Sequence, residues 1–175
     1  ALGLSRPHMP YKGLIMAILI SPMIVPLIIT AAGMFFFYAR INLVYTFTGV
    51  ILAHVALATP FVVITVTATL VGFDMNMVKA AQSLGAKPMR TFFKVIMPLI
   101  LPGIISGALF AFITSFDEVV IVMFMASIDQ LTIPKQMWAG IRQEISPVIL
   151  CMATCLVLLS IFLLTTVELL RRRSE

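Results

Sequence analysis

Two adjacent carboxylates, Asp117 and Glu118, stand inside a run from Val95 to Ile128 that carries no other charge. If that run lies in lipid, each charge costs about 3 kcal/mol at the bilayer centre. Such side chains face a bundle interior or an aqueous path. Two acids without an embedded base favour a cation, so Asp117 and Glu118, with Ser115, are candidates for a translocation path or gate. Two other readings stay open. The acids could be packing groups satisfied by Thr114, Ser115 or a partner subunit, or the helix could break here and leave both near the outer mouth. His54 lies in a second charge-free run, from Arg40 to Asp74. A lone histidine among apolar neighbours reads first as a hydrogen-bonded packing residue, and second as a proton relay. Cys151 and Cys155 are four apart and share one helix face. They have no His or Asp neighbours and read as small buried or lipid-facing thiols, not as a metal site or disulfide. There is no G-x-x-x-x-G-K-[ST] phosphate loop, no H-E-x-x-H and no G-x-S-x-G. No catalytic set and no metal ligands are therefore assigned, and no enzyme is expected.

The elements that must hold these residues follow from composition. Of 175 residues, 61% are apolar and 11% charged, with a net charge of +5. Mean hydropathy is +1.12. Soluble domains carry about 25% charged residues, so a water-soluble globule is excluded, as is a disordered chain. The expected class is an all-α membrane protein, a polytopic helical bundle in contact with the lipid bilayer. A span needs about 20 apolar residues. Four runs qualify, at 13–38, 46–71, 99–126 and 147–170.

The basic residues sort these spans. Arg6, Lys12, Lys79, Lys87, Arg90, Lys94, Arg171, Arg172 and Arg173 fall on one side, and Arg40, Lys135 and Arg142 on the other. The positive-inside rule makes the richer side cytoplasmic. Both ends are then inside, the segment 127–146 is outside, and Trp138 is placed as an interfacial anchor. The positive charge is thus topological, with the Arg171–Arg173 run as an anchor, and no nucleic-acid partner is expected. Pro22, Pro26, Pro60, Pro98 and Pro102 would kink their helices. Ser146 followed by Pro147 reads as a capped start for the last span. Thr59, Thr65, Thr67 and Thr69 read as helix–helix or backbone hydrogen-bonding groups.

Residues 72–98 are too polar to span and too patterned to be slack. Asp74 or Asn76 can cap a short helix over about 77–84, and Gly85 can end it in a left-handed conformation. Pro88 can begin a second helix. There Met89, Phe92, Phe93 and Ile96 follow an apolar stripe, with Lys87, Arg90 and Lys94 on another face. Such a helix could lie on the cytoplasmic leaflet. It could also dock on the bundle and present the first helix to a partner.

The run Lys79-Ala80-Ala81-Gln82-Ser83-Leu84-Gly85-Ala86, followed by Met97-Pro98 and Leu101-Pro102-Gly103, resembles the EAA loop of ABC importer permeases. Ser115-Phe116-Asp117-Glu118-Val119-Val120 and Leu131-Thr132-Ile133-Pro134 resemble the spermidine/putrescine-type members. The likeness covers the whole chain. It implies a MetI-like ABC permease fold, with about four of the usual six transmembrane helices and the N-terminal two missing. In that family the loop is a coupling helix seated in a cytoplasmic ABC ATPase. The resemblance therefore assigns Lys79, Ala80, Ala81, Gln82, Leu84, Gly85 and Ala86 to ATPase coupling. It implies an ATPase dimer, a second permease subunit and an external solute-binding protein as partners. ATP and Mg would be bound by the ATPase, leaving no cofactor in this chain. It also implies a bacterial inner-membrane location, with polyamine or another small organic solute as cargo. Lys79 departs from the pattern, which has an acid there. The alternatives are an ion-coupled secondary transporter or a non-conducting membrane scaffold; neither needs a coupling helix.

Overall fold

The computed structural model describes residues 1–6, 8–143 and 147–174. Among them the regular structure is all helical. Helix α1 spans Lys12–Ile24, α2 Leu27–Arg40 and α3 Phe47–Val71. Helix α4 spans Met75–Ser83 and α5 Pro88–Thr91. A π-helical turn, Phe92–Ile96, runs into α6, Met97–Phe116. Helices α7 Val120–Met125, α8 Ile133–Gln143 and α9 Pro147–Ser174 follow. Phe47–Val71, Pro88–Phe116 and Pro147–Thr166 are each long and apolar enough to cross a membrane. The expected cap at Ser146 lies outside the described residues, as do the side chains of Arg171–Arg173.

Three expectations change. The run 13–38 is not one straight span: α1 and α2 meet at 107°. Pro26 lacks an N–H and cannot continue the hydrogen-bond ladder of α1. Its carbonyl instead starts α2, accepting from Ile29 and Thr30 at 2.9 and 3.1 Å. The run 99–126 is also broken. Helix α6 ends at Phe116, and α7 restarts at Val120. Last, the helix opened by Pro88 is not separate from the third span. It continues through the π turn, where Met97 N–H bonds Phe92 O, five residues back. Pro98, just beyond, has no N–H to offer the ladder, so a local change of pitch at this place has a cause.

Helix α3 packs along α6 more extensively than any other pair. The contact is built on small residues. A Cβ at Gly103 would strike Thr69, and one at Gly107 would strike Thr65 Oγ1 and Val62 Cα. Glycines four apart on one face let two backbones approach where apolar attraction is no help. Beneath this seam Val66, Leu70 and Ile100 form one buried cluster. Ala31, Ala53, Leu57, Ile121 and Met125 form another, which draws α2, α3 and α7 together. Much of the remaining apolar surface is open, including Ile24, Phe36, Phe37 and Phe162, each above 60% exposed. That surface suits lipid or neighbouring subunits, not water.

Candidate functional site

Two regions hold the residues singled out in the sequence. The first is the connection between α3 and α6. Asp74 caps α4: its Oδ1 accepts from Asn76 N–H at 2.9 Å. At the other end, Ala86 N–H bonds Ala81 O at 3.1 Å, and Gly85 N–H bonds Gln82 O at 2.9 Å. This pair of bonds closes a Schellman motif, and it requires a left-handed residue at Gly85, whose φ is 80°. Glycine takes that conformation without a Cβ clash. Both helix ends are thus satisfied locally, and α4 is a defined short rod. Val78 is its buried side chain. Lys79, Ala80, Leu84 and Gly85 are exposed, Leu84 by 89%. Pro88 then opens α5 at its first helical position.

The second region is the break after α6. The acids are not in mid-helix. Asp117 is the C-cap of α6 and is exposed, whereas Glu118 is only 7% exposed. Glu118 Oε1 accepts from Ile121 N–H at 2.7 Å, satisfying a first-turn donor of α7. The break therefore separates the two carboxylates into different environments. Asp117 lines a cavity of about 330 Å³ with Phe116, Pro134, Ser160 and residues of α9. Glu118 lines another, of about 380 Å³, at the bend between α1 and α2.

Ser115, the third candidate, is tied to α3: its Oγ and His54 Nδ1 are 2.8 Å apart in a hydrogen bond. His54 is thus the packing residue expected, with a partner the sequence did not indicate. Its Nε2 is buried without a protein partner among the described residues. A cavity of about 600 Å³ lies beside the pair, walled by Phe112, Phe116 and Leu131. Thr59, Thr65 and Thr69 bond the carbonyls four residues back on α3. Thr67 Oγ1 is buried and makes no hydrogen bond to a described group.

The far end of α7 is held by a residue not expected to matter. Gln130 Oε1 accepts from Ser127 N–H at 3.1 Å, and its Nε2 donates to Tyr45 O at 3.2 Å. Tyr45 N–H bonds Met125 O at 2.9 Å. Tyr45 has φ 63°, a strained value for an aromatic residue. These bonds pin the α2–α3 turn to the end of α7, and a lone glutamine in a loop gives no pattern that would disclose it. Trp138 is 47% exposed on α8, with the Arg142 guanidinium 5.7 Å from its ring centre. Cys151 and Cys155 are free and exposed on α9.

A bundle of long apolar helices with an ordered, capped helix between two of them defines a class, the multi-pass helical membrane proteins. The chain belongs to the family described as binding-protein-dependent transport system inner membrane component, which it matches over residues 2–175. Among its relatives is the spermidine/putrescine transport system permease protein PotC of Haemophilus influenzae, 29% identical over 175 residues. That match covers 100% of this chain and 68% of the relative. PotC of Escherichia coli is 28% identical over 172 residues, 98% of this chain and 65% of the relative. The putrescine transport system permease protein PotI of Escherichia coli is 37% identical over 103 residues, 59% of this chain and 37% of the relative. The chain therefore spans about two thirds of the length of the PotC relatives.

Proposed function

We propose that this chain is the membrane-spanning permease of an ATP-driven importer, working with a cytoplasmic ABC ATPase pair, a second permease subunit and an external solute-binding protein. The observation that carries the reading is α4, a rod capped at both ends with Lys79, Ala80 and Leu84 exposed. A rigid element can transmit a push; a slack loop cannot. Lys79, Ala80, Ala81, Gln82, Leu84, Gly85 and Ala86 form the coupling surface. ATP hydrolysis belongs to the partner, and Lys79 calls for an acidic contact there in place of the family's usual polarity. Both chain ends lie on the cytoplasmic side, in keeping with the basic residues around α4.

The cargo proposed is a polyamine or a similar small organic cation. The support is the naming of the relatives and the acidic pair at the break. Asp117, Glu118 and Ser115 line the path or its gate. Motion of α4 would reach them along α6, which is joined to the α4 segment by a continuous helix from Pro88 to Phe116. Rocking of such spans around a fixed site is how alternating access works.

Gly85→Pro tests the coupling surface. Proline fixes φ near −65°, which is incompatible with 80° and with the Gly85 N–H bond. The variant should still reach the membrane, and ATP hydrolysis by the assembled complex should continue without cargo uptake. Normal coupled uptake would sink the coupling assignment.

A further inference from the structure

The turn between α2 and α3 holds a backbone conformation that one of its residues does not favour. Asn42 and Tyr45 both have positive φ, 54° and 63°. Asparagine enters this left-handed region readily; a tyrosine does so at a steric cost. A residue stays in such a conformation only where its surroundings over-determine it. At Tyr45 those surroundings are the segment 125–130, at the far end of α7. Tyr45 N–H donates to Met125 O at 2.9 Å, and Tyr45 O accepts from Gln130 Nε2 at 3.2 Å. Both backbone polar groups of the strained residue thus depend on that one segment. The ring does less to hold it, being 58% exposed.

Each side of this junction is firm in itself. Gln130 Oε1 accepts from Ser127 N–H at 3.1 Å, so its amide is braced within its own loop. Thr46 Oγ1 donates to Leu43 O at 2.7 Å and accepts from Gly49 N–H at 3.0 Å, which fixes the turn onto α3. What joins the two sides is the pair of bonds at Tyr45, together with the packing of Ile121 and Met125 against Ala31, Ala53 and Leu57. Tyr45 lies just before the apolar span Phe47–Val71, where water can replace a broken bond. A hydrogen bond exchanged for one to water costs little net, and release lets Tyr45 leave its strained conformation. The joined and parted arrangements therefore differ by little, as a switching element requires. Its place suits a gate. Helix α3 has 25 residues, about 37 Å of rise, and the junction and α4 lie at its opposite ends.

We infer that Tyr45, Gln130 and the Met125 carbonyl form a strained clasp, which shuts the end of the bundle remote from α4 and lets go when ATP drives that end open. This rests on the permease reading and deepens it, by naming a contact that must break in each cycle. Release frees α7, a helix of six residues, from the α2–α3 turn.

The test is hydrogen exchange at the Tyr45 amide, read by mass spectrometry at single-residue resolution. It uses the natural full-length protein, purified with its partners in nanodiscs. Without nucleotide the amide should be protected. With ATP, vanadate and the binding protein, its protection should fall roughly tenfold or more, the scale of one or two lost hydrogen bonds. Unchanged protection there, while the amides of α4 respond, overturns the clasp and leaves the permease reading standing. If ATP and vanadate alter no amide of this chain, the permease reading fails, and ATP-driven release fails with it. Two variants test the strain without nucleotide. Gln130→Leu keeps the size and removes both bonds of the amide, so exchange at Tyr45 should rise about fivefold, the scale of one hydrogen bond. Tyr45→Asn keeps the backbone N–H and C=O and suits the left-handed region. Corrected for intrinsic rates, exchange at residue 45 should slow about fivefold, the scale of the strain relieved. A turn that is packed but unstrained would lose protection in both variants, and that result overturns the clasp. If Gln130→Leu does not fold, the Tyr45→Asn result and the nucleotide comparison on the natural protein still decide it.

Discussion

Asp117 and Glu118 are neighbours with unlike duties. Glu118 is buried and engaged with the first turn of α7, whereas Asp117 is exposed and faces a cavity shared with α9. Removing one charge at a time should therefore give different phenotypes. Asp117→Asn keeps size and hydrogen-bonding capacity and loses only the charge. Initial uptake of radiolabelled spermidine should fall about tenfold, the scale of one lost charge-assisted contact, with membrane abundance unchanged. Uptake at the natural rate would remove Asp117 from the path. The presence of two acids was plain from the sequence, but their separation was not. Residues adjacent on a helix point about 100° apart, and a break at Phe116 changes that geometry altogether. Nothing in Ser-Phe-Asp-Glu-Val-Val fixes the break, although four β-branched residues from Val119 to Val122 weaken helix propensity after it.

At the scale of elements, prolines show where reading by composition stops. Pro22, Pro60 and Pro102 are all accommodated inside helices, while Pro26 ends one and starts the next. The residue type is the same at each place. What differs is tertiary: α2 turns to bury Ala31 against Ile121 and Met125. The charge-free runs were enough to locate α3 and α9, because span length is a property of composition. The caps of α4 were also legible, since Asp74 and Gly85 act within their own turns. The α3–α6 seam was only half legible. Thr65 and Thr69 stood out as polar residues in a span, but the facing Gly103 and Gly107 have meaning only once the two helices are side by side. Gly107→Leu should destabilise the bundle by about 1–3 kcal/mol, through overpacking against Thr65 and Val62. A lowered midpoint of thermal unfolding in detergent would show it. Gly33, with open space around it, should accept alanine with no loss. Equal effects at the two positions would mean that the seam is not tightly packed.

Taken whole, the molecule is built to be surrounded. No residue in the most apolar window of Pro147–Thr166 is buried within the chain, and large apolar side chains are exposed on α1, α2 and α9. An apolar surrounding such as lipid suits such a surface; water does not. The continuous helix from Pro88 to Phe116 links the α4 segment to the acidic break, so the proposed coupling surface and the proposed path are joined by one element. The central claim is that energy enters at α4 from ATP. The direct measurement is uptake of spermidine into proteoliposomes holding the natural protein, its permease partner and its ATPase, with the binding protein supplied outside. Uptake should require ATP on the ATPase side and should cease when the ATPase is omitted, whatever the proton gradient. Uptake driven by an imposed proton gradient without ATP or ATPase would contradict the account and make the chain an ion-coupled carrier.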